Sequence, residues 1–122
     1  MRLYARLDAW KASHRLTVVV YQITSRWPRE ERYGLVAQAR RAAFSVSANI
    51  AEGSARRGAR EFARFLAIAV ASLAELAYVS ELARDLGILA GKDLEEFERC
   101  REDAGKLTWR LYQSIRRAAT RK

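Results

Sequence analysis

His14 and Cys100 are the chain's single histidine and single cysteine, and so its first candidates for metal binding or nucleophilic chemistry. One of each cannot build a structural zinc site, which takes four such ligands. Carboxylate metal sites in helical bundles use Glu-x-x-His pairs, and the sequence has none. Cys100 has no histidine-based constellation to activate it as a nucleophile. There is no P-loop and no GxGxxG run. Glu30-Glu31 and Glu95-Glu96 are adjacent in sequence, so neither pair faces itself across a helix, and both read as solvated charge. No catalytic residue, metal site or cofactor is expected, and the chain reads as a binding protein rather than an enzyme.

The chemistry the sequence offers is ionic. Lys and Arg number 23 against 14 Asp and Glu, a net charge of +9. Such a surplus favours polyanions, meaning nucleic acid or an anionic membrane surface. Trp10, Trp27 and Trp109, with Tyr4, Tyr21, Tyr33, Tyr78 and Tyr112, have faces on which bases can stack. At helical spacing such residues more often fill cores and interfaces. Tyr112, beside the basic tail, is the best stacking candidate. Asn49 lies mid-helix and needs a hydrogen bond if buried. The next helix and the Arg56–Gly58 turn are its expected partners.

These residues must be positioned by helices. Pro28 is the sole proline, and six glycines punctuate long runs rich in Ala, Leu, Arg and Glu. The first helix is expected from about Asp8, which can cap it, to Arg26, with Pro28 as its stop. Ala9, Ala12, Leu16, Val19 and Ile23 form its apolar face. The second runs from about Tyr33 to Ala55. Its stripe is Leu35, Ala39, Ala42, Val46 and Ile50, and the small residues Ala42, Ala43, Ser45 and Ser47 allow a close neighbour. The third runs from about Ala59 to Leu86, with Gly87-Ile88 as a glycine C-cap. The fourth runs from about Lys92 to Ala118, with acidic residues near its start and Arg116 and Arg117 at its end.

Residues 1–122 thus form one all-α domain. Short loops predict an antiparallel, up-down-up-down four-helix bundle. The N-terminus shows no apolar leader, a lone cysteine makes no intrachain disulfide, and the longest apolar run, Phe65–Ala74, is ten residues. A cytoplasmic protein with no membrane span is expected.

Two expectations follow from that topology. Between Phe65 and Ser80 the only charged residue is Glu75, so the third helix lacks the polar face of an outer helix. Self-association would cover it, with Phe65, Ile68, Ser72, Glu75 and Val79 at the interface and Glu75 paired to a neighbour's arginine or hydroxyl. Secondly, both chain ends and the second turn share one pole. Arg56, Arg57, Arg60 and Arg64, with Arg116, Arg117, Arg121 and Lys122, gather there and would carry phosphate contacts to RNA or DNA. Arg40 and Arg41 are further contacts or partners for Glu75. The alternative is an adaptor whose basic face docks an acidic or RNA-carrying protein.

The runs Glu31-Arg-Tyr-Gly-Leu35, Gln38-Ala-Arg-Arg-Ala-Ala-Phe-Ser-Val-Ser-Ala-Asn-Ile-Ala-Glu-Gly53, Glu61-Phe-Ala-Arg-Phe-Leu66 and Ser72-Leu-Ala-Glu-Leu76 resemble the four-helix-bundle family of 23S rRNA-intervening-sequence proteins. The resemblance covers Leu7 to about Arg117. It implies a bacterial, cytoplasmic, homopentameric barrel whose relatives are encoded within insertions in large-subunit rRNA genes. It also implies kinship with the accessory variability determinants of diversity-generating retroelements, whose basic pentamers bind nucleic acid and a reverse transcriptase. That family often has proline where this chain has Ser47, so a straighter second helix is expected here.

Overall fold

Four amphipathic segments become four long helices in the computed structural model, which describes residues 2–121. Helix α1 spans Asp8–Thr24, α2 Leu35–Ser54, α3 Gly58–Asp85 and α4 Gly91–Ala119. Short 3-10 turns at Leu3–Arg6 and Arg29–Glu31 precede α1 and α2, and there is no strand among the described residues. Lys122, assigned above to the basic tail, lies outside the described residues.

The helices pack as a ring in chain order, α1 on α2, α2 on α3, α3 on α4 and α4 on α1. Leu16, Val20 and Ile23 of α1 meet Val46 and Ile50 of α2, Leu66 and Leu76 of α3 and Phe97 of α4 in one buried cluster, which Trp27 and Leu89 close from the loops. Burying such side chains stabilises by about 1.5–3 kcal/mol each.

Small residues set the spacing. Ala39, Ala42 and Ala43 of α2 are fully buried. With so little side chain between them, α1 comes close enough for the Thr17 hydroxyl to lie 3.0 Å from both the Ala43 carbonyl and Ser47 Oγ. Ser45 Oγ reaches Ser72 Oγ of α3 at 2.7 Å, and Ser13 Oγ lies 3.4 Å from Thr108 Oγ1 of α4. Gly53 extends the close contact, because a Cβ there would stand 2.8 Å from Phe65 Cβ and 2.9 Å from a Phe62 ring carbon. Gly53 is therefore a buried helical residue, and the turn that follows α2 is Ala55–Arg57.

Several local expectations are revised. Asp8 does not cap α1: it is the first helical residue, Leu7 holds the cap position, and no side chain bonds the helix start. Helix α1 ends at Thr24 rather than Arg26. The Arg26 and Trp27 amides there bond the carbonyls of Ile23 and Thr24, three residues back, and that tightening accompanies burial of Trp27. Helix α2 begins at Leu35 rather than Tyr33, because Glu31 Oε1 accepts the Leu35 N–H at 3.1 Å. Glu31 is thus a capping group and not merely solvated charge.

The end of α3 is as expected. Gly87 takes φ +74°, its N–H bonds the Arg84 carbonyl, and the Ile88 N–H bonds the Ala83 carbonyl at 2.8 Å. That is the Schellman arrangement with its apolar residue at C″.

Helix α3 is, among the described residues, the one helix long and apolar enough to cross a membrane by length and composition, with a mean hydropathy of 1.7 in its most apolar stretch. Its Leu66, Ala69, Leu73 and Leu76 are buried among the other helices.

Two predictions follow from this packing. Gly53→Ala should destabilise the protein by about 1–3 kcal/mol through overpacking. Gly105→Ala, in mid-α4 with nothing within 4 Å of the new methyl, should stabilise it by about 0.5–1 kcal/mol. Urea unfolding of the two variants reads both signs, and equal signs would refute the packing account.

The second concerns Glu98, which accepts hydrogen bonds from Arg101 at 2.8 and 3.0 Å and from Ser80 of α3 at 3.0 Å. Arg101 first, and Ser80 less, hold its carboxyl below the usual range against the opposing effect of burial. A lowered folded value means the stabilisation is present above the unfolded value, about 4.3, and is lost as pH falls through the folded one. Glu98→Gln should therefore lose less stability than the parent between about pH 6 and pH 3. An identical acid loss in the two proteins would show that the cluster contributes nothing.

Candidate nucleic-acid interface

Seven of the eight cations assigned to phosphate contacts fall within the described residues, and all seven are exposed. Arg56 and Arg57 lie in the turn between α2 and α3. Arg60 and Arg64 lie in the first two turns of α3, Arg116 and Arg117 in the last turn of α4, and Arg121 just beyond it. The α2–α3 turn has a sharp corner because Gly58, the first residue of α3, takes φ +80°. That conformation is open to glycine at no steric cost.

The cations at this turn are of two kinds. Arg56 bonds Glu52 at 2.8 Å, and Arg64 bonds both oxygens of Glu61 at 3.1 and 3.2 Å. The Arg64 hydrogen bond holds the Glu61 carboxyl below its ordinary value and raises Arg64 in return. Both guanidinium groups also sit over the Phe65 ring, at 5.0 and 4.7 Å from its centroid. Arg57 and Arg60 have no carboxylate partner among the described residues. They are the uncompensated charges of the turn.

The second group is Arg116, Arg117 and Arg121 at the end of α4. Arg116 lies over the Tyr112 ring at 5.8 Å, and Trp109 packs on the same ring at 5.7 Å. Tyr112, expected to stack on bases, is thus half-buried against the core and flanked by its own neighbours. Arg117 has no ion pair among the described residues, and no hydrogen bond or ion pair joins α4's last turn to the α2–α3 turn.

The residues assigned to self-association divide. Phe65, Ser72 and Val79 are buried by the chain's own helices. Ile68 is 41% exposed. Glu75 is partly exposed and pairs with Arg41 of the same chain, so the partner expected from a neighbouring molecule comes from α2. Arg40 turns the other way, donating to Thr24 Oγ1 at 2.9 Å and the Tyr21 carbonyl at 3.2 Å and lying over the Tyr21 ring. Asn49 donates to Ser45 of its own helix, at 2.8 Å to the carbonyl and 3.0 Å to the hydroxyl. It reaches α3 only through the Ser45–Ser72 hydroxyl pair, and not the Arg56–Gly58 turn.

The exposed apolar face expected on α3 is present at Ile68 but with other neighbours than those assigned, and a second apolar surface escaped the sequence reading. Ala67, Ala71, Ala74 and Tyr78 join Ile68 in an exposed strip along α3. Their spacing was legible, but the buried stripe beside them dominates the helical period. On the other side of α2, Phe44 is 60% exposed and borders a groove of about 300 Å³ with Tyr4, Trp10 and His14. His14 itself is exposed and stacks on Trp10, with centroids 4.9 Å apart. Phe44 lies off the α2 stripe, which was the signal for its exposure.

Cys100 is buried, and burial first, then Glu96, pushes its thiol up from the ordinary value. A raised value keeps it protonated at neutral pH. No cluster of three metal-ligating side chains occurs among the described residues.

Comparison with curated proteins gives no match. A family model described as 23S rRNA-intervening sequence protein matches residues 5–110. With four helices packed in a ring and that match covering most of its length, the chain belongs to the 23S rRNA-intervening sequence protein family.

Proposed function

We propose that the chain is a non-enzymatic, homo-oligomeric module that holds a nucleic-acid backbone at a basic pole made by the α2–α3 turn and the two chain ends. Helices alternating up and down bring those segments together, and the contact pairs support the alternation. Arg26, beyond the end of α1, meets Asp93 in the first turn of α4 at 2.8 Å, whereas Ser13 near the start meets Thr108. Thr24 meets Arg40 while Thr17 meets Ser47. On α3, Glu75 meets Arg41 while Ser72 meets Ser45. Continuing the Ser80–Glu98 register along α3 and α4 sets Phe62 level with Arg116.

The observation that carries the proposal is the pair Arg57 and Arg60, exposed and without a carboxylate partner among the described residues, beside two arginines seated on Phe65. Arginine forks bind phosphate in two-point contacts. Such contacts fix a backbone without reading its sequence.

The two apolar surfaces support self-association. The α3 strip around Ile68 and the Phe44 groove are unlike and lie on different sides of the subunit. Contact between unlike surfaces is head-to-tail and closes into a ring when the rotation permits. A ring of five, the assembly the family resemblance implies, would repeat the basic pole around one axis.

Two measurements test this reading. Sedimentation should show an assembly at micromolar concentration, and Ile68→Glu should dissociate it with helicity unchanged. A monomeric parent protein would overturn the oligomer. Binding to random RNA and DNA should weaken steeply with salt, and replacing both Arg57 and Arg60 by Ala should flatten the log–log slope by about two. No binding at ~50 mM salt, or an unchanged slope, would overturn the interface.

A further inference from the structure

A second group of arginines lies in the loop between α1 and α2. By charge total this end looks unpromising, because Glu30, Glu31, Asp93 and their neighbours roughly balance its cations. The fold separates them. A cavity of about 340 Å³ opens there, lined by Arg29, Arg32 and Arg40, with Thr24, Ser25 and Trp27, and no carboxylate lines it. Glu31 is occupied at the start of α2, and the nearby Asp93 is held by Arg26. Arg29 and Arg32 are exposed and have no carboxylate partner among the described residues.

The third arginine is fixed in place. Arg40 is anchored by Thr24 Oγ1, the Tyr21 carbonyl and the Tyr21 ring. The Thr24 hydroxyl is itself buried and donates to the Val20 carbonyl at 2.7 Å. A guanidinium tethered through some of its five N–H groups keeps the others free for a ligand at little further entropic loss.

Trp27 borders the same cavity. Its ring is 8% exposed, and among the described residues its indole N–H is the one buried side-chain polar atom with no hydrogen-bond partner. A buried donor without an acceptor costs about 1–3 kcal/mol, and such exceptions in a folded protein call for a reason. The indole nitrogen is itself closed off from solvent while Trp27 lines the cavity, so an anion seated there would meet this donor only after the ring turned toward it.

We infer that this cavity is a phosphate-ester site, built by Arg29, Arg32 and Arg40 and distinct from the basic pole. Three cations and no carboxylate select an anion, and forked guanidinium donors match phosphoryl oxygens. The cavity has room for a phosphoryl group carrying a small organic part, near the lower end of the about 300–1,000 Å³ typical of ligand sites. A free nucleotide and inorganic phosphate share this chemistry.

Calorimetric titration of the full-length protein with adenosine monophosphate, inorganic phosphate and adenosine tests the assignment. The nucleotide and phosphate should both bind. Adenosine should bind at least tenfold more weakly than the nucleotide. The double variant Arg29→Ala/Arg32→Ala should lose at least tenfold in nucleotide affinity, whereas Arg57→Ala/Arg60→Ala should lose none. Nucleotide binding tighter than phosphate would identify the organic part as recognised, and equal binding would identify the phosphoryl group alone. The Trp27 indole proton resonance should shift on saturation with phosphate, a readout that needs no substitution. Adenosine binding as tightly as its phosphate, affinity unaltered by loss of Arg29 and Arg32, affinity lost with Arg57 and Arg60 instead, or no binding at millimolar phosphate would each overturn the site.

Discussion

Everything in this molecule depends on how closely α2 lets its neighbours approach. Ala39, Ala42, Ala43, Ser47 and Gly53 put small residues at five of its inward positions, where a bundle of ordinary spacing would carry larger side chains. The backbones of α1 and α3 come near enough for hydroxyl groups to bridge helices: Thr17 with Ser47, Ser45 with Ser72 and, on the far side of α1, Ser13 with Thr108. Each such bridge fixes the longitudinal register of one helix pair. Sliding any pair by one residue would leave buried hydroxyls without partners, at a cost of about 1–3 kcal/mol apiece. Apolar packing drives the collapse, and these small polar contacts select one alignment among the many that packing alone would tolerate.

That alignment decides where the charge goes. Most ion pairs among the described residues are local, between residues one to four apart in sequence, as in Arg56–Glu52, Arg64–Glu61 and Arg101–Glu98. Exposed pairs of this kind add little to stability. Their larger effect is to divide the arginines into neutralised and free ones. Arg57 and Arg60 at the α2–α3 turn, and Arg29 and Arg32 at the α1–α2 loop, belong to the free set. The molecule therefore presents positive charge at discrete places and not as a uniform coat.

The sequence made the helices legible because their signals are local. Glycine at Gly87 with Ile88 after it and the three- and four-residue apolar steps gave α3 and α4 to within a residue at each end. What it hid was non-local or depended on rotamers. Glu31 caps α2 from four residues upstream, outside the usual cap position. Glu75 finds Arg41 on its own chain, which period alone could not decide against a neighbour's arginine. Asn49 folds back on Ser45. The α1–α2 cavity was invisible for a further reason: counting charge by region averages Arg29 and Arg32 against Glu30 and Glu31, while the fold turns Glu31 to a backbone amide. The basic residues at the α2–α3 turn were legible as a group, but their division into paired and free members was not.

The seating of Arg56 and Arg64 on Phe65 has a consequence for speed and selectivity. A surface arginine ordinarily samples many rotamers and surrenders that freedom when it grips an anion, at about 0.5–1.5 kcal/mol for each side chain immobilised. Here an aromatic plate and a nearby carboxylate have already narrowed the choice. The two groups are held by these contacts, and Arg57 and Arg60 beside them have no carboxylate partner among the described residues. If this pole holds a nucleic-acid strand as proposed, two of the four arginines at this turn would already be oriented before the strand arrives.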